Sequence, residues 1–512
     1  MKRILLTLLA VAAGSFGAFT SRADTSTNLP APTLEERVAS MEAYFQNGDP
    51  TVPFKDTNGN QNVQWGPIIN TSLMNSTGVV AGYPGAGHNA WLLTSTALVL
   101  FMTLPGLALF YGGLVRRKNV LSVIAQCFFI TGLVTILWVI CGYGMIFGGT
   151  GNPAKEDWIS GIVGSPFICW MMNNVTSAPN PNYSYWVSEN VVAMFQLMFA
   201  IITPALIVGS IAERMKFKAI VIFMTLWMLI VYFTQGHMVW GINGMMNGCW
   251  NANAKIHALD FAGGTVVHMS SGWSGLVLCI MLGKRYGFGK ENFTPHSIVL
   301  TFIGAAMLWV GWYGFNSGSA VAADVIAANA FTTTTIATAV GSFVWPMWEW
   351  LVKGKPSVLG FCSGAVAGLV VITPACGYVL PSGAIWIGIA AGTIPWFFCY
   401  KVKGWLGMDD ALDAWSVHGI GGLVGALMTG MFARTAANPN LATNMSKYVT
   451  NSIFQPLVWE QIKAIFVSLA LFIIGTIVIA LITKALVGLR PTEEVEIAGL
   501  DINEHGEEGY AM

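Results

Sequence analysis

The sequence predicts an all-α polytopic membrane protein of eleven transmembrane helices, and three observations predict it. Only 10% of the 512 residues are charged and 54% are hydrophobic, against about 25% charged in soluble domains. Long apolar blocks alternate with short polar links from residue 90 to residue 487, and about 20 apolar residues are what a helix needs to cross a bilayer. The basic residues gather in alternate links. A mean hydropathy of +0.61 excludes a mainly disordered chain. Because 25 basic residues balance 25 acidic ones, no charged field points to nucleic acid as a partner.

The chain opens like an export signal. Lys2 and Arg3 precede an apolar run from Ile4 to Phe19, and Ser21 and Ala23 supply small residues for a cleavage site. The run is about 16 residues and contains two glycines, short for a span. Residues 1–23 therefore read as a signal peptide. Residues 24–89 turn to Asn, Thr, Pro and Gly and are expected to form an extracytoplasmic extension, a small lid or strap. One short helix is expected in it, from Thr33 to Phe45, started by a capping box between Thr33 and Glu36.

Eleven apolar blocks follow, at about 90–113, 120–148, 188–212, 219–240, 261–282, 297–316, 325–350, 358–378, 383–401, 411–433 and 461–487. Links after the odd-numbered blocks carry thirteen basic residues: Arg116, Arg117, Lys118, Arg214, Lys216, Lys218, Lys284, Arg285, Lys290, Lys353, Lys355, Lys401 and Lys403. Links after the even-numbered blocks carry four: Lys155, Lys255, Arg434 and Lys447. The positive-inside rule then sets the N-terminus outside and the tail, residues 488–512, in the cytoplasm. Residues 90–487 form the expected membrane domain, in the cell (inner) membrane.

Six of the eight cysteines lie in these blocks or at their ends, where Cys is usually a small hydrophobe. Cys169 and Cys249 fall in outer links, where an oxidising compartment allows a bridge, and a disulfide between them is a candidate. There is no CxxC pair, so no metal site is expected, and nothing implies a cofactor.

Charges and imidazoles in spans are costly and mark function. The fifth block opens at Asp260 and reads DFAGGTVVH to His268; the tenth opens near Asp410 and reads DDALDAWSVHG through His418. Each Asp precedes its His by eight residues, about 12 Å along a helix, and the two blocks cross in opposite directions. The matched devices suggest an inverted repeat of five helices, with both imidazoles at the midplane sharing a hydrogen bond and offering their other nitrogens to a small polar permeant. Flanking glycines, Gly263, Gly264, Gly419, Gly421 and Gly422, would let the helices approach. No GxSxG, HExxH or phosphate loop supports an enzyme.

The runs GLALFYGGLVRRKNVLS (from Gly106 to Ser122), IVGSIAERMKF, HMVWG, LDFAGGTVVH, GKRYGFGK, GWYGFNSGSA, GKPSVLGFCSGAVAGLVVITPACGY and VHGIGG occur in that order. Together they closely resemble the ammonium transporter (Amt/MEP/Rh) family, its bacterial Amt branch in particular. The resemblance implies a homotrimer with one pore per subunit. It implies that Phe195, Phe199, Trp240 and Ser319 recruit ammonium or methylammonium outside, that Phe199 and Phe315 form the gate, and that ammonia passes His268 and His418. Net charge movement follows if the proton travels separately. Asp260 and Asp410 take structural and electrostatic roles. The tail, with its GLD and HGE runs, resembles the segment through which PII-type proteins regulate the family, with a pore exit near Ser363 and Asp413. The alternatives are an ammonium sensor signalling through PII-type proteins and a Rh-like neutral gas channel. Trp415 and Ser416 depart from the family pattern, and an indole so close to His418 is a candidate to narrow the lumen.

Overall fold

Side-chain caps fix where several helices begin. Thr33 accepts the Glu36 N–H on its hydroxyl (3.2 Å) and Glu36 reaches back to the Thr33 N–H (2.7 Å). This starts α1 (Leu34–Phe45) as the capping box predicts. In the computed structural model, which describes residues 29–46, 50–57, 61–64, 84–149, 159–180, 182–184 and 186–510, eleven helical segments then follow. The expected signal peptide, residues 1–23, lies outside the described residues.

These segments are α2 (Ala86–Leu114), α3 (Arg117–Phe147), α4 (Glu189–Ile211), α5 (Phe217–Trp240), α6 (Gly264–Leu282), α7 (Ile298–Gly318), α8 (Val325–Lys353), α9 (Val358–Ile372), α10 (Pro381–Trp405), α11 (residues 415–432) and α12 (Leu457–Val487). They coincide with the eleven apolar blocks. Among the described residues eight are long and apolar enough to cross a membrane; α8, α9 and α11 are the others. α8 has 29 residues but carries Asn329, Thr332 to Thr335 and Glu349. α9 is apolar throughout yet stops after 15 residues, short of the expected 378, because Pro374 follows its C-cap and cannot continue the ladder. Caps start α7, α8 and α9: Ser297, Asp324 and Ser357 accept from Leu300, Ala327 and Gly360.

Contrary to the reading of one helix from Asp260 to His268, α6 begins at Gly264. Gly263 takes a left-handed φ of 108°, which breaks the chain's direction between the carboxylate and the imidazole. The 12 Å helical spacing therefore does not apply. Both histidines sit in widened π-type turns at the start of their helices, Gly264–Met269 and Trp415–Ile420. Such turns are rare and cluster at functional sites.

The expected disulfide does not form. Cys169 and Cys249 are free and buried, because each is packed in a different apolar cluster. Cys169 lies in the main core, and Cys249 lies with Leu259, Tyr378 and Leu441.

The tail folds back onto the links that carry the basic residues. A short helix, α13 (Glu493–Ala498), precedes Asp501, whose carboxylate accepts the Leu121 and Ser122 N–H groups at 3.0 and 2.7 Å at the start of the continuous part of α3. Asn119 accepts from the Leu500 N–H (2.8 Å), Lys118 donates to the Ile497 carbonyl, and Arg490 pairs with Glu496. Near the end, the Tyr510 hydroxyl meets His296 Nε2 at 3.0 Å.

Candidate functional site

Two cavities approach each other from opposite ends of the helix bundle. The larger, about 590 Å³, is lined by Phe199, Trp240, Ser319, Asp260, Gln196 and Trp186 among others. The smaller, about 250 Å³, is lined by Ser363, Asp413, Val417, His418 and Trp345 among others. Between them stand two phenylalanines and two histidines. Phe199 and Phe315 stack with centroids 4.0 Å apart and planes 16° apart, and both are almost wholly buried. Phe315 lies 6.2 Å from His268. His268 and His418 face each other with Nδ1 atoms 3.3 Å apart.

The imidazole pair constrains its own protons. One Nδ1 must donate and the other accept, so in neutral rings one histidine carries its proton on Nδ1 and the other on Nε2. His268 Nε2 is buried and, among the described residues, has no hydrogen-bond partner. It is thus an unpartnered polar atom inside an apolar wall, able to accept or donate according to tautomer. Trp312 stacks on the His268 ring at 5.4 Å and 24° and is itself fixed by a bond from its Nε1 to the Thr373 hydroxyl (2.9 Å). The sequence reading missed Trp312, although it lies three residues before Phe315 and hence on the same helical face.

Glycines bring the histidines together, and they do so reciprocally. Gly272, four residues after His268, packs on Gly419, where a side chain would overlap backbone. Gly422, four residues after His418, packs on His268 Cβ and the Gly264 carbonyl. The two His-bearing turns are thus related by a local twofold-like exchange of contacts, the device expected of the repeat.

Each acidic residue serves backbone. The Asp260 carboxylate accepts from the N–H groups of Gly263 (2.8 Å), Gly264 (2.6 Å), Thr265 (2.8 Å) and Val266 (3.2 Å) and from the Thr265 hydroxyl. Its lone pairs are committed, and the Trp240 indole N–H donates to its carbonyl (3.1 Å). Asp410 accepts from Trp415 N–H and the Ser210 hydroxyl, both at 2.8 Å.

Of the expected outer residues, Phe199, Trp240 and Ser319 line the large cavity, but Phe195 does not. It is buried behind Phe199, edge-on at 5.0 Å, and wedged against Gly318. Gln196, one residue on, lines the cavity instead. Ser319 donates its hydroxyl to the Phe315 carbonyl (2.8 Å), which leaves its lone pairs as acceptors. Ser363 and Asp413 both line the smaller cavity as expected, and Asp413 pairs with Lys403. Trp415, the candidate to narrow the lumen, is buried. Its ring packs edge-on against Phe398 and Trp273 and is not among the cavity-lining residues.

A family model described as the Ammonium Transporter Family matches residues 90–510. The chain belongs to the ammonium transporter family. Similar relatives include an ammonium transporter of Mycobacterium tuberculosis, 43% identical over 442 residues and covering 84% of this chain and 91% of the relative. One of Bacillus subtilis is 42% identical over 416 residues, covering 81% and 96%. Among solved structures, Saccharomyces cerevisiae Mep2 superposes with a TM-score of 0.69 at 32% identity, covering 80% of this chain and 90% of Mep2. A structure described as a Sensor Amt Protein does so with a TM-score of 0.70 at 25% identity, covering 82% and 98%. Like these relatives, the chain is a multi-pass membrane protein of this family.

Proposed function

We propose that the protein moves ammonium or methylammonium across the membrane, recruiting the cation at the large cavity and passing ammonia by the two histidines. The observation that carries this reading is the line of groups from one cavity to the other: Trp240 and Ser319, the stacked Phe199 and Phe315, then His268 and His418. Aromatic faces attract a cation, Trp most strongly, and the free lone pairs of Ser319 accept one of its hydrogens. The stacked phenylalanines leave no room for a hydrated ion. Beyond them the imidazole nitrogens are the polar groups that offer a small neutral amine hydrogen bonds, while the apolar wall disfavours charge. Deprotonation at the gate, with the proton travelling separately, makes net transport electrogenic. Asp260 acts by holding the α6 start and the Trp240 indole rather than by touching the permeant.

The wider assignment follows the same reading. Residues 1–23 are an export signal, 24–89 an extracytoplasmic extension, 90–487 the membrane domain and 488–512 a cytoplasmic tail, in a homotrimer of the inner membrane. The docked tail and the cavity at Ser363 and Asp413 are where a PII-type protein would act. Similarity to a sensor keeps a signalling role as the second reading. Current from proteoliposomes after an ammonium pulse tests both. A saturable current in the intact protein, lost or altered in selectivity in the His268→Ala, His418→Ala double variant, supports transport. No current with retained ammonium binding overturns it in favour of the sensor.

A further inference from the structure

The N-terminal helix α1 carries its apolar residues on the wrong side for a helix that serves its own fold. Its inward face is made of small or polar residues and one tyrosine, Glu36, Ala39, Ser40, Ala43 and Tyr44. Ser40 is buried and donates its hydroxyl to the Pro50 carbonyl (2.7 Å). The outward face presents Leu34, Val38, Met41 and Phe45, which are 73%, 44%, 48% and 77% exposed. Their steps of four, three and four residues are the a/d rhythm of a coiled-coil seam, with Leu34 and Met41 at d and Val38 and Phe45 at a. A contiguous apolar stripe of this kind marks an interaction surface.

The charges beside the stripe say what covers it. In this register Arg37 is a g position and Glu42 the following e position. In a parallel pairing of two copies, g of one helix meets the next e of its partner, so Arg37 faces Glu42 on both sides of the seam. An antiparallel pairing sets g against g and e against e, Arg37 on Arg37 and Glu42 on Glu42, and is repelled. Copies of one chain enter a membrane in the same direction, so parallel is the arrangement they can reach. A lipid surface is the poorer occupant, since Glu35 and Glu42 make one flank acidic and anionic headgroups repel it. Twelve residues are too few for a stable coil between free peptides. Between copies held side by side by their membrane domains, the effective concentration makes up the deficit. Reach is not limiting: Pro50 and Gln64 are tied back to α1 and to Pro30 just before it, and the chain from Gln64 to Ala86 can still extend roughly 70 Å.

We infer that α1 is an oligomerisation element, a short parallel coiled coil formed between copies of this chain through Leu34, Val38, Met41 and Phe45 on the N-terminal side of the membrane domain. The inference goes beyond transport and rests on the proposed homotrimer only for the proximity of the copies. It is tested by cysteine cross-linking of the full chain in membranes, with the unsubstituted protein as background for its native thiols. Val38→Cys and Met41→Cys, each introduced singly, are expected to give a doubled-mass species under oxidising, non-reducing conditions, and Ala43→Cys, on the inward face, is not. Arg37→Glu and Glu42→Arg, placed singly in the Val38→Cys background, are expected to slow cross-linking by about two- to threefold, the size of an exposed ion pair. Combining them should restore the rate. Equal cross-linking at positions 38, 41 and 43, or none at 38 and 41, overturns the inference. So does a charge reversal that the double exchange fails to rescue. A probe at position 38 that reports lipid immersion, or protection by this chain's own residues 65–83, would also overturn it.

Discussion

Asp260 shows how a single carboxylate can look functional in sequence and act through architecture. It stands eight residues before His268, and the structure gives it five donors, four of them backbone N–H groups at the turn into α6. An amide has one acceptor oxygen, so Asp260→Asn leaves buried N–H groups without partners, each costing about 1–3 kcal/mol. We expect this variant to lower the unfolding temperature in detergent by several degrees and to reduce current in proportion to the folded fraction. Thermal unfolding monitored beside proteoliposome current checks it; a normal unfolding temperature with altered ion selectivity would give Asp260 a direct role. The same logic separates what could be read at residue level from what could not. Phe199, Trp240, Ser319 and the histidines were legible because their chemistry is apolar-aromatic or imidazole at positions matching a known pattern. Phe195 and Gln196 were exchanged because adjacent residues on a helix point about 100° apart, and only packing tells which of them meets the cavity.

At the scale of elements, the eleven helical segments were legible to within a few residues, the early end of α9 excepted, since block length and hydropathy are properties of each segment by itself. The breaks inside them were not. The widened turns at both histidines lie where α6 meets α11, a tertiary contact that no window of sequence contains. Gly272 and Gly422 mark that contact, and the reciprocity between them makes a paired prediction. Gly272→Ala places a Cβ on the Gly419 backbone, and Gly422→Ala places one on the Gly264 carbonyl and His268 Cβ. Overpacking costs about 1–3 kcal/mol, and here its relief is to move the helices apart, which lengthens the 3.3 Å imidazole contact. Both variants should therefore lose more current than stability. Comparison with Gly132→Ala, where added atoms meet open space, supplies the control, and equal behaviour of all three would remove the helix contact from the account of conduction.

For the molecule as a whole, the basic residues gathered in alternate links fasten those links and the tail together. Arg285 and Arg214 both reach Asp409, with contacts of 2.7 and 3.0 Å, and Arg116 and Arg285 share Glu213 at 2.8 and 3.5 Å. The sequence shows these charges as a topological signal, and their pairing appears only when the links after α2, α4 and α6 meet the segment before α11. Burial acts to raise the Asp409 pKa, but the hydrogen bonds and charge of Arg285, with Arg214, outweigh it and hold the carboxyl below its ordinary value. The sign follows from linkage. A depressed folded-state pKa stabilises the fold at pH above the unfolded value of about 3.9, and that contribution is lost as pH falls from there through the folded value. Asp409→Asn should thus be less stable at neutral pH by about 3–5 kcal/mol, because two guanidinium groups lose a buried partner. Its stability should also change less with pH between about 4 and 2 than that of the unsubstituted protein. Chemical unfolding of purified protein across this range distinguishes the two curves. If they run parallel, the acid sensitivity lies elsewhere; if they converge at the acid end, Asp409 is the charge that ties the basic links together.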